Sequence, residues 1–272
     1  MFSRQSLGRL LGRSAVVAVA GAACLAVTAG GAGAIVNGGK ATEAYPFMAS
    51  IPISAPAMGL TDGVCGAALI APQWVVTAAH CLDMEIGSIP QGTVRVGSDQ
   101  RTSGGEVRKI AQAVPHPRYS QNTPNRNDIA LVRLDRPVTQ APVPIAARPG
   151  RPGTPTRIIG FGVTESKPDP ADWKMSPRLN QLDTRRGAPS ECGPGYASGT
   201  RLCTVSRVPK AMACNGDSGS PQLQRGRNGR WELIGVTSGP GAKSPSCAEG
   251  PGLYTSVPAY ADWLDRTIRA YS

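Results

Sequence analysis

Apolar residues along this chain gather in short runs, at 47–53, 66–70, 74–77, 93–96, 129–134 and 157–161, and again at 221–224, 231–237 and 253–257. Turn signals rich in Gly, Pro, Asn and Asp separate most of them, which predicts many short strands of a barrel or sandwich. Residues 137–155 are dense in Pro and Gly near the middle of the chain, and they mark a linker between two halves. The C-terminal end departs from this pattern. Tyr260, Trp263, Leu264, Ile268 and Tyr271 recur at helical spacing, with Pro258 in a first-turn position where it is tolerated, so a terminal amphipathic helix is expected at about 258–271.

The start of the chain carries a different signal. Arg4, Arg9 and Arg13 form a basic leader, residues 15–29 are apolar, and Ala32-Gly33-Ala34 supplies small residues for a signal peptidase. Residues 1–34 therefore read as an export signal, and the protein as secreted. The apolar stretch is too short and too rich in Gly and Ala for a stable membrane anchor. Cys24 raises a lipoprotein reading, which Gly21 disfavours by standing where a bulky aliphatic residue is usual.

Removing residues 1–34 takes away three arginines and no acid, lowering the net charge from +11 to +8. A basic surface can favour anionic partners. Dispersal of arginine over solvated faces is the simpler reading, and the dense stretch Arg225-Gly226-Arg227-Asn228-Gly229-Arg230 reads as a solvated Asn-Gly hairpin tip. No aromatic interleaving suggests a nucleic-acid groove. With Cys24 set aside, Cys65, Cys81, Cys192, Cys203, Cys214 and Cys247 remain. An even set in an exported chain implies disulfides, although six cysteines permit fifteen connectivities. A metal site is disfavoured, because no Cys-x-x-Cys pair occurs and the chain has only two histidines.

Three local frames carry chemistry: Thr77-Ala78-Ala79-His80-Cys81, Asp128-Ile129-Ala130-Leu131 and Gly216-Asp217-Ser218-Gly219. A serine hydroxyl is a poor nucleophile until a base removes its proton. A histidine can take that proton and return it to a leaving group, and a buried carboxylate can orient the ring. The other histidine, His116, sits between Pro115 and Pro117 without an acid or nucleophile beside it and reads as structural or solvated.

In this chain order the frames resemble the chymotrypsin-like, trypsin-fold secreted serine proteases, and we expect a bacterial member. The resemblance runs from Ile35 to the terminal helix. It implies an all-β fold of two six-stranded antiparallel Greek-key β-barrels with a C-terminal α-helix and the active site in the cleft between them. The barrels are expected at about 50–145 and 155–257 within a protease domain at 35–272. It assigns His80, Asp128 and Ser218 as catalytic, and the amides of Gly216 and Ser218 as the oxyanion hole. It also selects the pairings Cys65–Cys81, Cys192–Cys203 and Cys214–Cys247. Finally, it pairs a new N-terminal ammonium at Ile35 with Asp217. Cleavage after Ala34 would create that terminus without a further pro-segment.

Counting six positions back from Ser218 puts Met212 at the floor of the family's primary specificity pocket, with Gly252 as a small wall residue. A floor without a carboxylate argues against Arg and Lys and for apolar side chains. Ser238 matches a serine near the catalytic aspartate and the substrate backbone. Pro240 lacks the N–H that an extended substrate would use. The expected partners are protein or peptide substrates and protein inhibitors, with no nucleic acid, no cofactor and no metal, and the protein is expected to be a monomer. The alternative functions are a catalytically silent member of the same fold or an esterase-like hydrolase.

Overall fold

The computed structural model describes residues 1–2, 35–84, 89–242, 244 and 246–271. The predicted export signal lies almost wholly outside these residues. From residue 35 onward the described residues build fourteen strands and one α-helix. In the first half these are β1 (Gly39–Lys40), β2 (Met48–Ala55), β3 (Leu60–Ala71), β4 (Trp74–Thr77), β5 (Ile89–Pro90), β6 (Thr93–Val96), β7 (Glu106–Pro115) and β8 (Ala130–Leu134). The second half contributes β9 (Pro155–Gly160), β10 (Asn180–Arg186), β11 (Arg201–Ser206), β12 (Pro221–Arg225), β13 (Trp231–Pro240) and β14 (Gly252–Ser256).

Pairing closes both halves. Strands β2, β3, β4, β8, β7 and β6 form an antiparallel ring sealed by the β2–β3 ladder, with β5 added on β2. Strands β9, β10, β11, β14, β13 and β12 form a second ring sealed by β9–β10, with β1 added on β10. Closure removes the exposed edges that an open sheet would leave. The protein is thus all-β, with two six-stranded antiparallel barrels and a single C-terminal helix. That helix, α1 (Ala261–Ala270), follows a 3-10 turn over Val257–Tyr260 and buries Leu264 and Thr267.

Each apolar run predicts a strand that the structure contains. Five strands arise where no apolar run exists, the two-residue β1 and β5 and the longer β7, β10 and β11. The reason for β10 is the interior of the second barrel, which is partly polar. Asn180, Leu182, Thr184 and Arg186 alternate inward along β10. Thr184 and Thr156 share a hydroxyl hydrogen bond of 2.7 Å, and Gln222 donates to Thr204 at 2.8 Å and to Thr156 at 3.3 Å. Buried polar groups are tolerated when they find partners, and such a face is invisible to a hydrophobic pattern.

His116 is buried rather than solvated. Its ring stands edge-on to Tyr260 and Trp263, with centroids 5.2 and 4.9 Å away. Its Nδ1 accepts the Arg118 N–H at 3.2 Å, so the ring is neutral there. Burial, and then the Arg118 charge, hold its pKa below the usual histidine value. The hairpin at Arg225–Arg230 is exposed, as its sequence suggests, with one of its arginines held in place. The Arg225 guanidinium lies 3.6 Å from the centroid of Trp231 and pairs with Glu43 at 3.3 Å.

Candidate active site

Three short segments at the junction of the barrels bring the predicted residues together. His80 sits in the 3-10 turn Ala79–Leu82 that follows β4, and the Cys65–Cys81 disulfide ties this turn to β3. Asp128 precedes β8, after Asn127, whose φ of +49° is tolerable because asparagine enters the left-handed region more readily than most residues. The Asn127 side chain is held at both ends, donating to the Arg118 carbonyl and accepting from the Tyr260 hydroxyl. Ser218 lies in the turn before β12, and the Cys214–Cys247 disulfide holds the start of that turn.

Asp128 is 1% exposed and is the most heavily bonded group of the site. Its Oδ1 accepts the His80 backbone N–H at 3.0 Å, and its Oδ2 accepts His80 Nδ1–H at 2.8 Å and the Ser238 hydroxyl at 2.5 Å. Ser238 reaches the carboxylate from a register shift in the β13–β14 ladder, between Thr237 and Gly239. Such a bulge re-aims a side chain that regular pleating would send elsewhere. Burial alone would push the Asp128 pKa up, but the facing His80 and these donors hold it below the usual carboxylate value. Burial would lower the His80 pKa, and the Asp128 charge and hydrogen bond raise it instead. The pair therefore favours a ring fixed through Nδ1, with Nε2 left to handle a proton.

The amides of Gly216 and Ser218 have no backbone acceptor among the described residues. Gly216 has φ of +86°, and a Cβ there would collide with the Met175 sulfur and come within 2.9 Å of Gly162 Cα. Two N–H groups within the Ser218 turn are thus left without a backbone acceptor among the described residues, as a developing oxyanion requires. The turn is anchored across the barrels by the Gly66 N–H donating to the Ser218 carbonyl at 2.7 Å and by the Gly219 N–H donating to the Thr237 carbonyl at 2.8 Å.

Next to Ser218 lies a cavity of about 90 Å³, lined among others by Met212, Thr237, Pro240, Gly252 and Tyr254. Pro240 and Gly252 face each other across the β13–β14 ladder. A Cβ at Gly252 would stand 3.1 Å from the Tyr254 ring and 3.2 Å from the Met212 sulfur, so the glycine keeps this cavity open. Among the described residues, no carboxylate lines it. Sequence reasoning did not single out Tyr254 or Met175. Tyr254 was within reach, since it shares the strand face of Gly252 two residues earlier.

Ile35 is fully buried in a cluster with Met212 and Tyr254, but here it continues from Ala34 and carries no ammonium. The Asp217 carboxylate instead accepts the N–H groups of Gly162 at 2.9 Å and Cys214 at 3.0 Å. No cation stands beside it among the described residues. Burial pushes its pKa up to about 7, against the pull of those two amides. The third disulfide joins Cys192 to Cys203, with Cys192 Sγ 3.6 Å from the Gly252 carbonyl. Among the described residues, no cluster of His, Cys, Asp and Glu could hold a metal ion, and no helix is long and apolar enough to cross a membrane.

A family model described as trypsin matches residues 35–264, which include both barrels and the first turn of the helix. Human serine protease 56 is 33% identical over 254 residues, covering 88% of this chain, although the chain spans only 40% of that protein. Mouse kallikrein-11 is 33% identical over 219 residues, covering 76% of this chain and 74% of that protein. A solved structure of neuropsin, a serine protease of mouse brain, superposes with a TM-score of 0.66 at 27% identity, covering 82% of this chain and 94% of that one. These relatives are mammalian, and they lend no support to the expected bacterial source. With the match spanning both barrels and the cleft residues between them, the chain belongs to the trypsin family of serine proteases.

Proposed function

We propose that this chain is a secreted serine endopeptidase working as a monomer through Ser218, His80 and Asp128. The observation that carries the reading is the buried Asp128 holding His80 through both its ring and its backbone, with the Ser218 turn packed through Gly219 against Thr77 and Ala78, just before His80. Ser218 Oγ attacks the substrate carbonyl carbon as His80 Nε2 takes its proton. The oxygen that becomes negative accepts from the Gly216 and Ser218 amides. Collapse breaks the C–N bond, the leaving amine takes the proton from His80, and water repeats the sequence on the acyl-enzyme.

The cavity beside Ser218 supports a preference for apolar side chains at the residue before the cleaved bond. Its lining offers a buried Arg or Lys no counter-charge. Its volume of about 90 Å³ is well below the roughly 150 Å³ of a cavity that takes benzene. Leucine, methionine and valine therefore suit it better than phenylalanine or tryptophan.

Cleavage after Ala34 gives Ile35 an ammonium group, which pairs with Asp217. Support comes from the carboxylate itself, which is buried without a cation and pushed up to about 7. Secretion rests on the leader at 1–34, and the mature domain runs from Ile35.

The secreted protein should digest casein and react with a fluorophosphonate probe. Ser218→Ala should lose both, with kcat falling on the order of 10⁶-fold, and His80→Ala should lose a similar amount. Combining the two should add little, because they act as one unit. Near-normal hydrolysis by either variant would reject the mechanism. Probe labelling without casein digestion would indicate an ester hydrolase instead.

A further inference from the structure

Two basic segments that are far apart in sequence form opposite rims of one open groove on the second barrel. Arg148 and Arg151 come from the linker between the barrels, and Arg225 and Arg227 from the β12–β13 hairpin. The groove encloses about 1100 Å³, and one carboxylate, Glu232, shares the lining with these four arginines. The side chain of Gln224 fastens the rims together. Its Oε1 accepts the Gly150 N–H at 2.9 Å, and its Nε2 donates to the Arg148 carbonyl at 3.2 Å.

Arg225 is fixed in place by Trp231, by Glu43 and by a 2.9 Å bond to the Gly229 carbonyl. Arg148, Arg151 and Arg227 are exposed and enter no ion pair among the described residues. Holding several uncompensated guanidinium groups around one concavity concentrates positive potential there. Their planar forks are matched to sulfate and carboxylate groups.

We propose that this groove binds an anionic polysaccharide carrying sulfate or carboxylate groups. Two other polyanions match the groove less well. A single-stranded nucleic acid needs aromatic faces for its bases. The Trp231 ring is already taken by Arg225 at 3.6 Å and approached by Arg157 at 5.1 Å. An acidic peptide binding as an added strand needs a free sheet edge. Strand β12 is paired with β13 along its length and with β9 at Gln222 and Leu223, and beyond them the Gln224 side chain ties the linker backbone at Arg148 and Gly150 over that edge. A sugar polymer asks only for spaced guanidinium groups along an open channel.

The test uses the full secreted protein and heparin as the sulfated probe, titrated at low and at physiological salt. Arg148→Ala/Arg151→Ala/Arg227→Ala should weaken heparin binding at least tenfold and flatten its salt dependence, as loss of charge contacts does. Lys174→Ala/Arg207→Ala/Arg266→Ala removes the same charge from exposed positions elsewhere and should change affinity less than twofold. Cleavage of a short peptide should be unchanged in both variants, which also reports that they fold. Equal weakening by the two variants would show that only net charge matters and would overturn the proposal. So would absence of heparin binding at physiological salt, or tighter groove-dependent binding of polyglutamate or single-stranded DNA than of heparin.

Discussion

The buried Asp217 gives the uncut chain a pH dependence that cleavage should erase. An aspartate that titrates near 3.8 when unfolded and at about 7 when folded carries a handicap of about 4 kcal/mol in its charged form. Between those values the folded chain holds a proton that the unfolded chain has released. Stability therefore falls as pH rises from about 4 to about 7, and the loss is complete above that. Four kcal/mol is roughly a thousandfold in the folding equilibrium. On the proposed pairing, cleavage after Ala34 should place an ammonium beside the carboxylate and remove the handicap. The amine should then have a folded pKa above its unfolded value of roughly 7.7–8.0. Its contribution is present below that unfolded value and lost as pH climbs through the folded one.

The assay is equilibrium guanidinium unfolding of Ser218→Ala protein, which cannot digest itself, with and without the residues preceding Ile35. The uncut protein should lose about 4 kcal/mol more between pH 4 and 7 than the same protein carrying Asp217→Asn. Asparagine supplies one oxygen where two amides donate, which costs about 1–3 kcal/mol at every pH and leaves the difference in slope intact. The protein beginning at Ile35 should lack the decline and be the more stable form at pH 7. Parallel pH profiles for the uncut protein and its Asp217→Asn variant would refute the reasoning.

Other outcomes follow from single contacts. Ser238→Ala removes the hydroxyl that donates to Asp128 at 2.5 Å, and kcat should fall on the order of tenfold, in keeping with one charge-assisted hydrogen bond; a change confined to KM would assign Ser238 to the substrate instead. Gly252→Val puts a branched side chain against Met212 and Tyr254, and kcat/KM for substrates with leucine or methionine before the cleaved bond should drop about a hundredfold or more; an unchanged value would mean that this cavity does not receive the side chain. His116 is neutral and buried when folded, so stability should decline as pH falls below about 6.5, the unfolded histidine value. His116→Gln should lack that component, and an identical acid profile would show that the ring does not titrate in this window.

How legible each part was depends on how local its cause is. His80, Asp128 and Ser218 each sit in a frame of a few residues, and chain order was enough to join them. The terminal helix was equally plain, because Leu264 and its neighbours bury one face at helical spacing. Strands β7, β10 and β11 were hidden for a different reason. Strand β7 is mostly exposed, and β10 turns Asn180, Thr184 and Arg186 inward, so neither offers an apolar run. No local rule could have announced that Gln222 would wait inside the barrel for Thr156 and Thr204.

The same distinction explains what the site adds to its motifs. Ser238 matters through a bulge that turns it towards Asp128, and Gly216 through a backbone angle that keeps Met175 and Gly162 close. Gly66 has a comparable role, since a Cβ there would strike Ser220, the residue two positions after Ser218. At Gly66 the missing Cβ lets β3 of the first barrel come close to the turn that enters β12 of the second. A single strand's sequence encodes its own pleat, but the cleft depends on which atoms are missing from the facing barrel. The Arg148 and Arg227 rims obey that logic as well. Neither segment is unusual alone, and their meaning comes from Gln224 tying them to one groove.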